Sequence, residues 1–257
     1  MEVNRVLNVR QQEILDCINA NGNANIRDFV GIYDVSEATI RRDFDELSKL
    51  GLIDRIHGGA VRVNSTTHER YHSEKMSLML NEKKRIAAYA ASLVKNGESL
   101  FLDSGTTANF IALELANHKD LVIVTNNLDI VRSVPFDPSV TLIVTGGIRK
   151  DQYSALVGNI AEQIIDSFHV DKAFMGCDAI DSESGVYNSN FPAVGVKKCI
   201  TRCGKQTILI ADSSKFYIKA LAKVCGLEAI DMIITDTGLD EKTAQAVKKH
   251  VPNTICV

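Results

Sequence analysis

Apolar positions recur at helical spacing near the start of the chain, in segments separated by turn residues. Ile14, Leu15 and Ile18 share one face of a first segment, which the run Asn21-Gly22-Asn23 ends. Asn25 then stands where it can cap a second, shorter helix. The pattern predicts two amphipathic helices joined by a tight connection.

A third segment continues this periodicity and presents arginines on its opposite face. Its apolar residues fall at i, i+4 and i+7, behind Ser36 as a predicted N-cap; they are Ile40, Phe44 and Leu47. Arg42 points away from this stripe, with Thr39 beside it and Arg41 on the flank. Arginine can bind guanine edges and threonine can contact a phosphate or a thymine methyl, so this face suits a DNA major groove. An ordinary solvated helix surface is the alternative.

A hairpin signal behind this helix favours DNA binding. Residues 52–56 and 60–63 are β-prone and are separated by His57-Gly58-Gly59. Arg55 and Arg62 stand near its ends, where they can touch phosphates. Residues 1–63 are therefore predicted to form a winged helix-turn-helix that binds double-stranded operator DNA. Its predicted DNA-binding residues are Ser36, Thr39, Arg41, Arg42, Arg55, His57 and Arg62.

The pattern changes after a polar segment, residues 64–80, which is predicted to be a linker. A helix is expected from residue 83 to 93, followed by short apolar runs that alternate mostly with helical segments. The runs cover residues 100–102, 121–124, 140–144, 173–175, 207–210, 232–234 and 254–256. Such runs indicate a mostly parallel sheet with both faces covered, so residues 81–257 are predicted to form an α/β domain.

Polar residues follow five of these runs and predict a pocket. Ligands of parallel sheets bind at the carboxyl ends of the strands, and small hydroxyl residues and glycine at a helix N-terminus can hold an anion. Ordinary turns are the alternative for each loop. The predicted effector-binding residues are Asp103, Ser104, Gly105, Thr106, Thr107, Thr125, Asn126, Asn127, Gly146, Gly147, Asp178, Asp181, Lys197 and Lys215.

Composition limits the class of protein and adds one warning. The chain has 257 residues, 45% hydrophobic and 24% charged, which is typical of a folded globular protein. Without a signal-peptide pattern or a run of about 20 apolar residues, a cytoplasmic location without membrane contact is expected. Residues 1–60 hold seven Lys/Arg and ten Asp/Glu, a net charge of −3. DNA binding therefore depends on local arginines, and weak non-specific binding is expected.

Two of the six cysteines leave a regulatory alternative open. Cys199 and Cys203 are four residues apart, which would suit a redox pair or half of a metal site. No CxxC motif or third ligand accompanies them, so neither a metal nor a cofactor is predicted. A redox-regulated DNA-binding protein remains the alternative.

Several motifs together resemble the DeoR family of bacterial sugar-metabolism regulators. They are VSEATIRRD at residues 35–43, GLIDRIHGGA at 51–60, EKKRIA at 82–87, LDSGTTA at 102–108, VTNN at 124–127 and ADSSKF at 211–216. The resemblance covers nearly the whole chain. It implies a repressor that binds operator DNA as a homo-oligomer, a dimer or tetramer, and is controlled by a phosphorylated sugar or related metabolite.

The second domain also resembles ribose-5-phosphate isomerase and glucosamine-6-phosphate deaminase in its expected fold. By that resemblance residues 104–107 hold a phosphate, Asp178 and Asp181 form an acidic loop, and Lys215 is its basic partner. The chain departs from the family around Ala193 and Gly195, where an acidic residue is usual. An isomerase-type enzyme with a DNA-binding appendage is the alternative function, and the missing acid disfavours it.

Overall fold

The chain forms two compact units, Met1–Thr66 and Thr67–Val257. A computed structural model describes residues 7–21, 23–50, 52–56, 58–62, 75–76, 78–149 and 154–257. Lys75 belongs to the second unit, where its ammonium pairs with Asp178. Residues 64–80 are the predicted linker, and Lys75 near its C-terminal end thus contacts the second unit.

The first unit contains the predicted helices and hairpin. Its elements are α1 (Val9–Asn21), β1 (Asn23–Asn25), α2 (Ile26–Tyr33), α3 (Glu37–Lys49), β2 (Ile53–Ile56) and β3 (Gly59–Arg62). The hairpin pairs Ile56 with Gly59, and Gly58 takes the left-handed conformation, φ 79°, that a tight turn requires. Ile14, Ile18, Ile40, Phe44 and Leu47 are fully buried in one core, as their spacing predicts.

Gly59 belongs to a strand and not only to the turn. Strand β1 pairs with β3, which places Asn25 opposite Gly59. A side chain at Gly59 would collide with the carbonyl of Ala24. The second glycine of the hairpin is therefore needed because another backbone approaches it closely.

The second unit is built on a parallel sheet, as its apolar runs predict. The sheet holds β4 (Ser99–Leu102), β5 (Val122–Thr125), β6 (Thr141–Val144), β9 (Val170–Met175), β12 (Gly204–Ile210), β14 (Met232–Thr235) and β15 (Thr254–Cys256). Its order is β15-β14-β12-β9-β4-β5-β6, and every pair of neighbours runs parallel. The α/β class is confirmed.

Helices cover both faces of this sheet, since buried apolar clusters lie on either side. They are α4 (Leu80–Ser92), α5 (Thr106–Glu114), α6 (Leu128–Ser133), α7 (Asn159–Asp166), α8 (Phe191–Cys203) and α9 (Glu241–Lys248). Two short 3₁₀ helices span Ser213–Phe216 and Leu227–Ala229. None of the helices in the described ranges is both long and apolar enough to cross a membrane.

Short antiparallel strands add to this core and were not predicted. One sheet joins β10 (Ala179–Asp181), β11 (Gly185–Asn188) and β13 (Ala222–Cys225), and a separate pair joins β7 (Ile148–Arg149) to β8 (Leu156–Val157). The chain order of the large sheet reverses between β4 and β9, and crevices at such a switch point are where open α/β sheets bind ligands.

Candidate functional site

A cleft opens at this switch point, beyond the carboxyl ends of β4 and β9. It encloses about 790 Å³ of empty space, part of it open to bulk solvent. Four lysines and two aspartates are among its lining residues, so its lining carries net positive charge. The lining comprises Lys75, Lys83, Ser104, Gly105, Thr106, Thr107, Ser154, Ala155, Gly176, Cys177, Asp178, Asn188, Asn190, Ala193, Lys197, Ile210, Ala211, Asp212 and Lys215.

A buried ion pair supports one wall of the cleft. Lys197 Nζ lies 2.5 Å from Asp103 Oδ2 and donates to the Gly176 carbonyl at 2.8 Å. Asp103 also accepts the backbone N–H groups of Ser104 (2.7 Å) and Gly176 (2.9 Å). Burial lowers the pKa of Lys197, but the Asp103 carboxylate outweighs burial and the pKa rises. Asp103, predicted to bind the effector, instead lies beneath the cleft and joins the ends of β4 and β9.

A second ion pair lies in the cleft lining. Asp178 Oδ1 accepts from Lys75 Nζ at 2.8 Å, and Oδ2 accepts the backbone N–H of Ser189 at 2.9 Å. Burial raises the pKa of Asp178, but the charges of Lys75 and Lys215 outweigh burial and hold that pKa below its ordinary value. Asp178 is therefore ionised at neutral pH, and its carboxylate can accept hydrogen bonds from the hydroxyl groups of a ligand.

Lys83 contributes a buried ammonium to the same cleft. Its Nζ donates to the carbonyls of Lys75 and Leu78, the latter at 2.6 Å. Burial lowers the pKa of Lys83 to about 8, although the carboxylate of Asp212 opposes the shift. This ammonium is therefore sensitive to mildly alkaline pH.

The residues at the start of α5 line the cleft. Gly105 is the N-cap and offers no side chain to the helix, and the first bond of the helix runs from Asn109 N–H to the Gly105 carbonyl. Within the described residues no acceptor is found for the N–H groups of Gly105, Thr106 and Thr107. Free N–H groups at a helix N-terminus attract anions. Ser104, Thr106 and Thr107, which carry hydroxyl groups, are among the lining residues, and the Ser104 hydroxyl donates to Asp103 Oδ1 at 3.3 Å.

The TNN motif supports the neighbouring strand end and does not line the cleft. Thr125 Oγ1 donates to the Leu102 carbonyl at 2.6 Å, and Asn126 Nδ2 donates to the Leu156 carbonyl at 3.1 Å. Asn127 caps α6 by accepting the Asp129 N–H at 2.9 Å. All three predicted effector residues are buried. Each of them makes a hydrogen bond to nearby backbone, although Asn126 Oδ1 is buried without a partner among the described residues.

Gly146, Gly147 and Asp181 also lie apart from the cleft lining. A Cβ at Gly147, φ 116°, would lie 2.8 Å from the Val157 carbonyl, so this glycine allows close packing against β8. Asp181 accepts the backbone N–H of Ser184 at 2.8 Å and closes the β10–β11 turn. Their sequence signal is that of structural turns, which the sequence alone does not distinguish from pocket loops.

The polar residues of the cleft that the sequence-based site prediction does not include are Lys75, Lys83, Ser154, Asn188, Asn190 and Asp212. Lys75 and Lys83 lie in polar or amphipathic segments, where lysines are normally solvated. Asn188 is the last residue of β11 and Asn190 follows this strand, which the sequence pattern does not predict. For Lys83 the only available signal was its place in the EKKRIA motif, and Lys75, Asn188 and Asn190 offered none.

Cys199 and Cys203 lie inside the second unit. Both are buried on α8, and burial raises the pKa of Cys199 to about 11 and that of Cys203 to about 12. Both are therefore protonated at neutral pH, and a thiol reacts poorly with oxidants. In the described residues no three His, Cys, Asp or Glu side chains gather around a common point.

Helix α3 carries the predicted DNA-binding surface of the first unit. Ser36 caps it by accepting the Thr39 N–H at 3.2 Å, and the two hydroxyls lie 2.9 Å apart. Arg41 and Arg42 are both exposed. Arg41 Nη2 lies 2.5 Å from Glu37 Oε1, whereas no ion pair is found for Arg42 among the described residues. Arg42 is therefore the more available of the two cations.

Arg55 points back onto α3. Its guanidinium lies 5.5 Å from the centre of the Phe44 ring, and its Nε lies 3.3 Å from Asp45 Oδ1. Arg55 therefore stabilises the packing of the hairpin against α3. Its contact with a DNA phosphate stays a prediction. His57 and the side chain of Arg62 lie outside the described residues.

The acidic end of VSEATIRRD fixes α3 in place. Asp43 is buried, its Oδ2 lies 2.6 Å from Arg10 Nε, and its Oδ1 accepts from Gln11 Nε2 at 3.2 Å. These bonds join α3 to α1 and thereby fix the position of the helix that carries Arg41 and Arg42.

Two family models match the sequence in the positions that these two sites occupy. Residues 10–66 match the DeoR-like helix-turn-helix domain, and residues 79–237 match the DeoR C-terminal sensor domain. The chain belongs to the DeoR family. It is thus a transcriptional regulator with a DNA-binding domain and a sensor domain for a small-molecule effector.

Full-length relatives agree with this assignment of the DeoR-family chain. An uncharacterized HTH-type transcriptional regulator, YulB of Bacillus subtilis (strain 168), is 34% identical over 93% of this chain and 92% of its own. The putative aga operon transcriptional repressor of Escherichia coli O157:H7 is 33% identical over 93% and 90%. The glycerol-3-phosphate regulon repressor of Escherichia coli (strain K12) is 30% identical over 94% and 95%. These names favour the regulator over the enzyme alternative.

Solved structures provide a more distant similarity. Ribose 5-phosphate isomerase A from Methanocaldococcus jannaschii is 18% identical, covers 54% of this chain and 55% of its own, and has a TM-score of 0.39. The enzyme from Plasmodium falciparum is 19% identical over 52% of each chain, with a TM-score of 0.37. Similarities at this level carry no information about ligands or reactions.

The departure from the family around position 195 has a structural counterpart. The Glu162 carboxylate of α7 lies against Gly195 of α8, in the space where a side chain at position 195 would begin. An acidic group is therefore present beside this position, supplied by another helix. Neither Glu162 nor Gly195 lines the cleft.

Proposed function

We propose that this regulator binds a phosphorylated sugar or a related phosphorylated metabolite in the cleft of its sensor domain. The observation that carries the proposal is the open N-terminus of α5. Its free amides at Gly105, Thr106 and Thr107 share the cleft with the ammonium groups of Lys83 and Lys215. Oriented N–H groups and nearby cations are what a phosphate requires.

The remaining lining suits the hydroxyl-rich part of such a ligand. Asp178 accepts hydrogen bonds, and the amides of Asn188 and Asn190 can both donate and accept them. We infer that the phosphate binds at Ser104–Thr107 and that the hydroxyls face Asp178. The predicted site residues Thr106, Thr107, Lys197 and Lys215 fit this arrangement, because all line the cleft.

We infer that the sensor domain binds this ligand without converting it. Aldose–ketose isomerisation needs a base that accepts a carbon-bound proton. Asp178 is a weak base because Lys75 and Lys215 hold its pKa below the ordinary range. An isomerase assay with ribose 5-phosphate tests this inference. Turnover that Asp178→Asn abolishes would establish the enzyme alternative.

DNA binding is proposed to depend on α3, with Arg42 inserted into the major groove and Ser36, Thr39 and Arg41 close to the backbone or the base edges. Helix-turn-helix regulators read two half-sites as dimers. The net charge of −3 over residues 1–60 leaves little non-specific attraction to DNA. We therefore propose that the chain acts as a homo-oligomer that represses a sugar-metabolism operon.

A thermal-shift screen tests the sensor proposal. The screen compares phosphorylated compounds, among them glycerol 3-phosphate and ribose 5-phosphate, each with its unphosphorylated counterpart. A bound ligand at 100 times its Kd adds about 2.7 kcal/mol to the stability of the folded state, which is easily detected. Stabilisation by a phosphorylated compound alone supports the proposal. Equal responses within every pair would contradict it.

A further inference from the structure

The residues just before α4 are held by the cleft itself. We call Lys75, Met76, Leu78 and Met79 the strap. Lys75 Nζ lies 2.8 Å from Asp178 Oδ1, and the two side chains are only 20% and 12% exposed. The strap therefore reaches into the proposed effector site through a charged side chain.

Lys83 holds the strap at a second point. Its ammonium donates to the carbonyls of Lys75 and Leu78, and its side chain is buried. Two of the three donors of this ammonium are thereby used on the strap backbone. Met79, the last strap residue, takes a left-handed conformation, φ 50°, which is costly for a side chain of this size. The strap contacts therefore hold a backbone conformation that is unfavourable by itself.

The strap and a phosphorylated ligand draw on the same charged groups. Asp178 Oδ1 accepts from Lys75 and Oδ2 accepts the Ser189 N–H, so a ligand hydroxyl would bind to oxygens that already have partners. A phosphate at the start of α5 would offer the Lys83 ammonium charged acceptors, which form stronger hydrogen bonds than the two strap carbonyls do. Ligand and strap therefore share the side chains of Asp178 and Lys83.

The strap also lies next to the DNA-binding unit along the chain. The first unit ends at Thr66, and Lys75 follows it by only nine residues. The strap is thus the part of the described sensor domain that lies nearest in sequence to the DNA-binding domain.

We propose that the effector exchanges with the strap, and that release of the Lys75–Asp178 and Lys83 contacts transmits its binding to the DNA-binding unit. This proposal rests on the proposed function, since it assumes a phosphorylated ligand in the cleft. A ligand can shift such an equilibrium only by its preference for the released state, and by linkage the strap weakens ligand binding equally.

Hydrogen exchange of the full-length protein tests the exchange directly. The probe is whichever phosphorylated compound of the thermal-shift screen stabilises the wild type most. We expect it to protect the amides of residues 104–109 and to speed exchange in residues 75–80. Protection of 104–109 with unchanged or slower exchange in 75–80 would overturn the strap proposal alone. A screen in which no phosphorylated compound binds would instead refute the proposed function, and the strap proposal with it.

A variant tests the transmission step. Lys75→Met removes the strap contact, and Lys84→Met, at an exposed position on α4, is the matched control. The operator duplex is obtained by selecting random-sequence DNA on the wild-type protein. We expect the probe to change operator affinity by roughly 5- to 150-fold in the wild type and in Lys84→Met, the usual range of allosteric coupling. In Lys75→Met we expect less than a twofold change at a probe concentration that saturates the variant, because no Lys75 contact is left to release. A variant that no longer binds the probe would also overturn the proposal, since by linkage the loss of a competing strap cannot weaken ligand binding. If the probe changes the operator affinity of Lys75→Met as much as it changes that of the wild type, the proposal is overturned.

Discussion

The buried pair between Lys197 and Asp103 gives the strongest expected effect on stability. Lys197→Met keeps most of the apolar stem but removes the ammonium, and so leaves Asp103, which is fully buried, without its cation. Breaking a buried ion pair by removing one partner costs about 3–5 kcal/mol. The backbone N–H groups of Ser104 and Gly176 still donate to Asp103, at 2.7 and 2.9 Å. We therefore expect a loss near the lower limit, about 3 kcal/mol.

Native-state hydrogen exchange in β4 and β9 measures this loss within the sensor domain alone. A cost of about 3 kcal/mol corresponds to roughly a hundredfold faster exchange of the slowest amides in these strands. Lys198→Met, one residue further along α8 and exposed, is the control and should change stability by less than about 0.5 kcal/mol. Equal effects of Lys197→Met and Lys198→Met would refute the assignment of the pair as a structural support of the cleft.

Three further predictions concern the two sites. Arg42→Ala should weaken operator binding by ~1–3 kcal/mol if Arg42 contacts a guanine edge. The loss should exceed that of Arg41→Ala, because Glu37 already pairs with Arg41. A gel shift of Arg42→Ala at the wild-type protein concentration would contradict this prediction. Thr106→Ala should leave operator binding unchanged and weaken the phosphorylated effector roughly tenfold by calorimetry, the effect of one hydrogen bond to a charged group. Effector affinity should fall as pH rises through about 8, the pKa to which burial lowers Lys83, since the ammonium then loses its charge; a flat pH profile between about 7 and 9 would exclude Lys83 from the phosphate site.

Much of the fold could be predicted from sequence because it depends on patterns that burial imposes. The large sheet is buried on both faces, so its strands are continuous apolar runs such as residues 121–124 and 232–234. The strands β10 and β11 escaped prediction because neither is a continuous apolar run: Asp181 ends the first, and Gly185 and Asn188 stand at the two ends of the second.

The cleft could be predicted only in part, because the same residue types serve ligands and turns. The run Ser104–Thr107 spans the start of α5 and lines the cleft, as its position predicts. Asp181 gave a similar signal but closes a turn. Lys75 lies far from Asp178 in sequence, so only the folded chain shows that they meet. Long-range pairs of this kind have no periodicity from which they could be inferred.

The most direct test of the account is operator affinity measured with and without phosphorylated metabolites. A duplex selected on the wild-type protein is titrated in the presence of each phosphorylated compound and of its unphosphorylated counterpart. The account predicts at least one phosphorylated compound that changes the Kd fivefold or more, as expected for allosteric coupling of about 1 kcal/mol or above, while its counterpart has no effect. An unchanged Kd across a broad panel of phosphorylated sugars and polyols would contradict the claim that this sensor domain controls DNA binding through a phosphate-binding cleft.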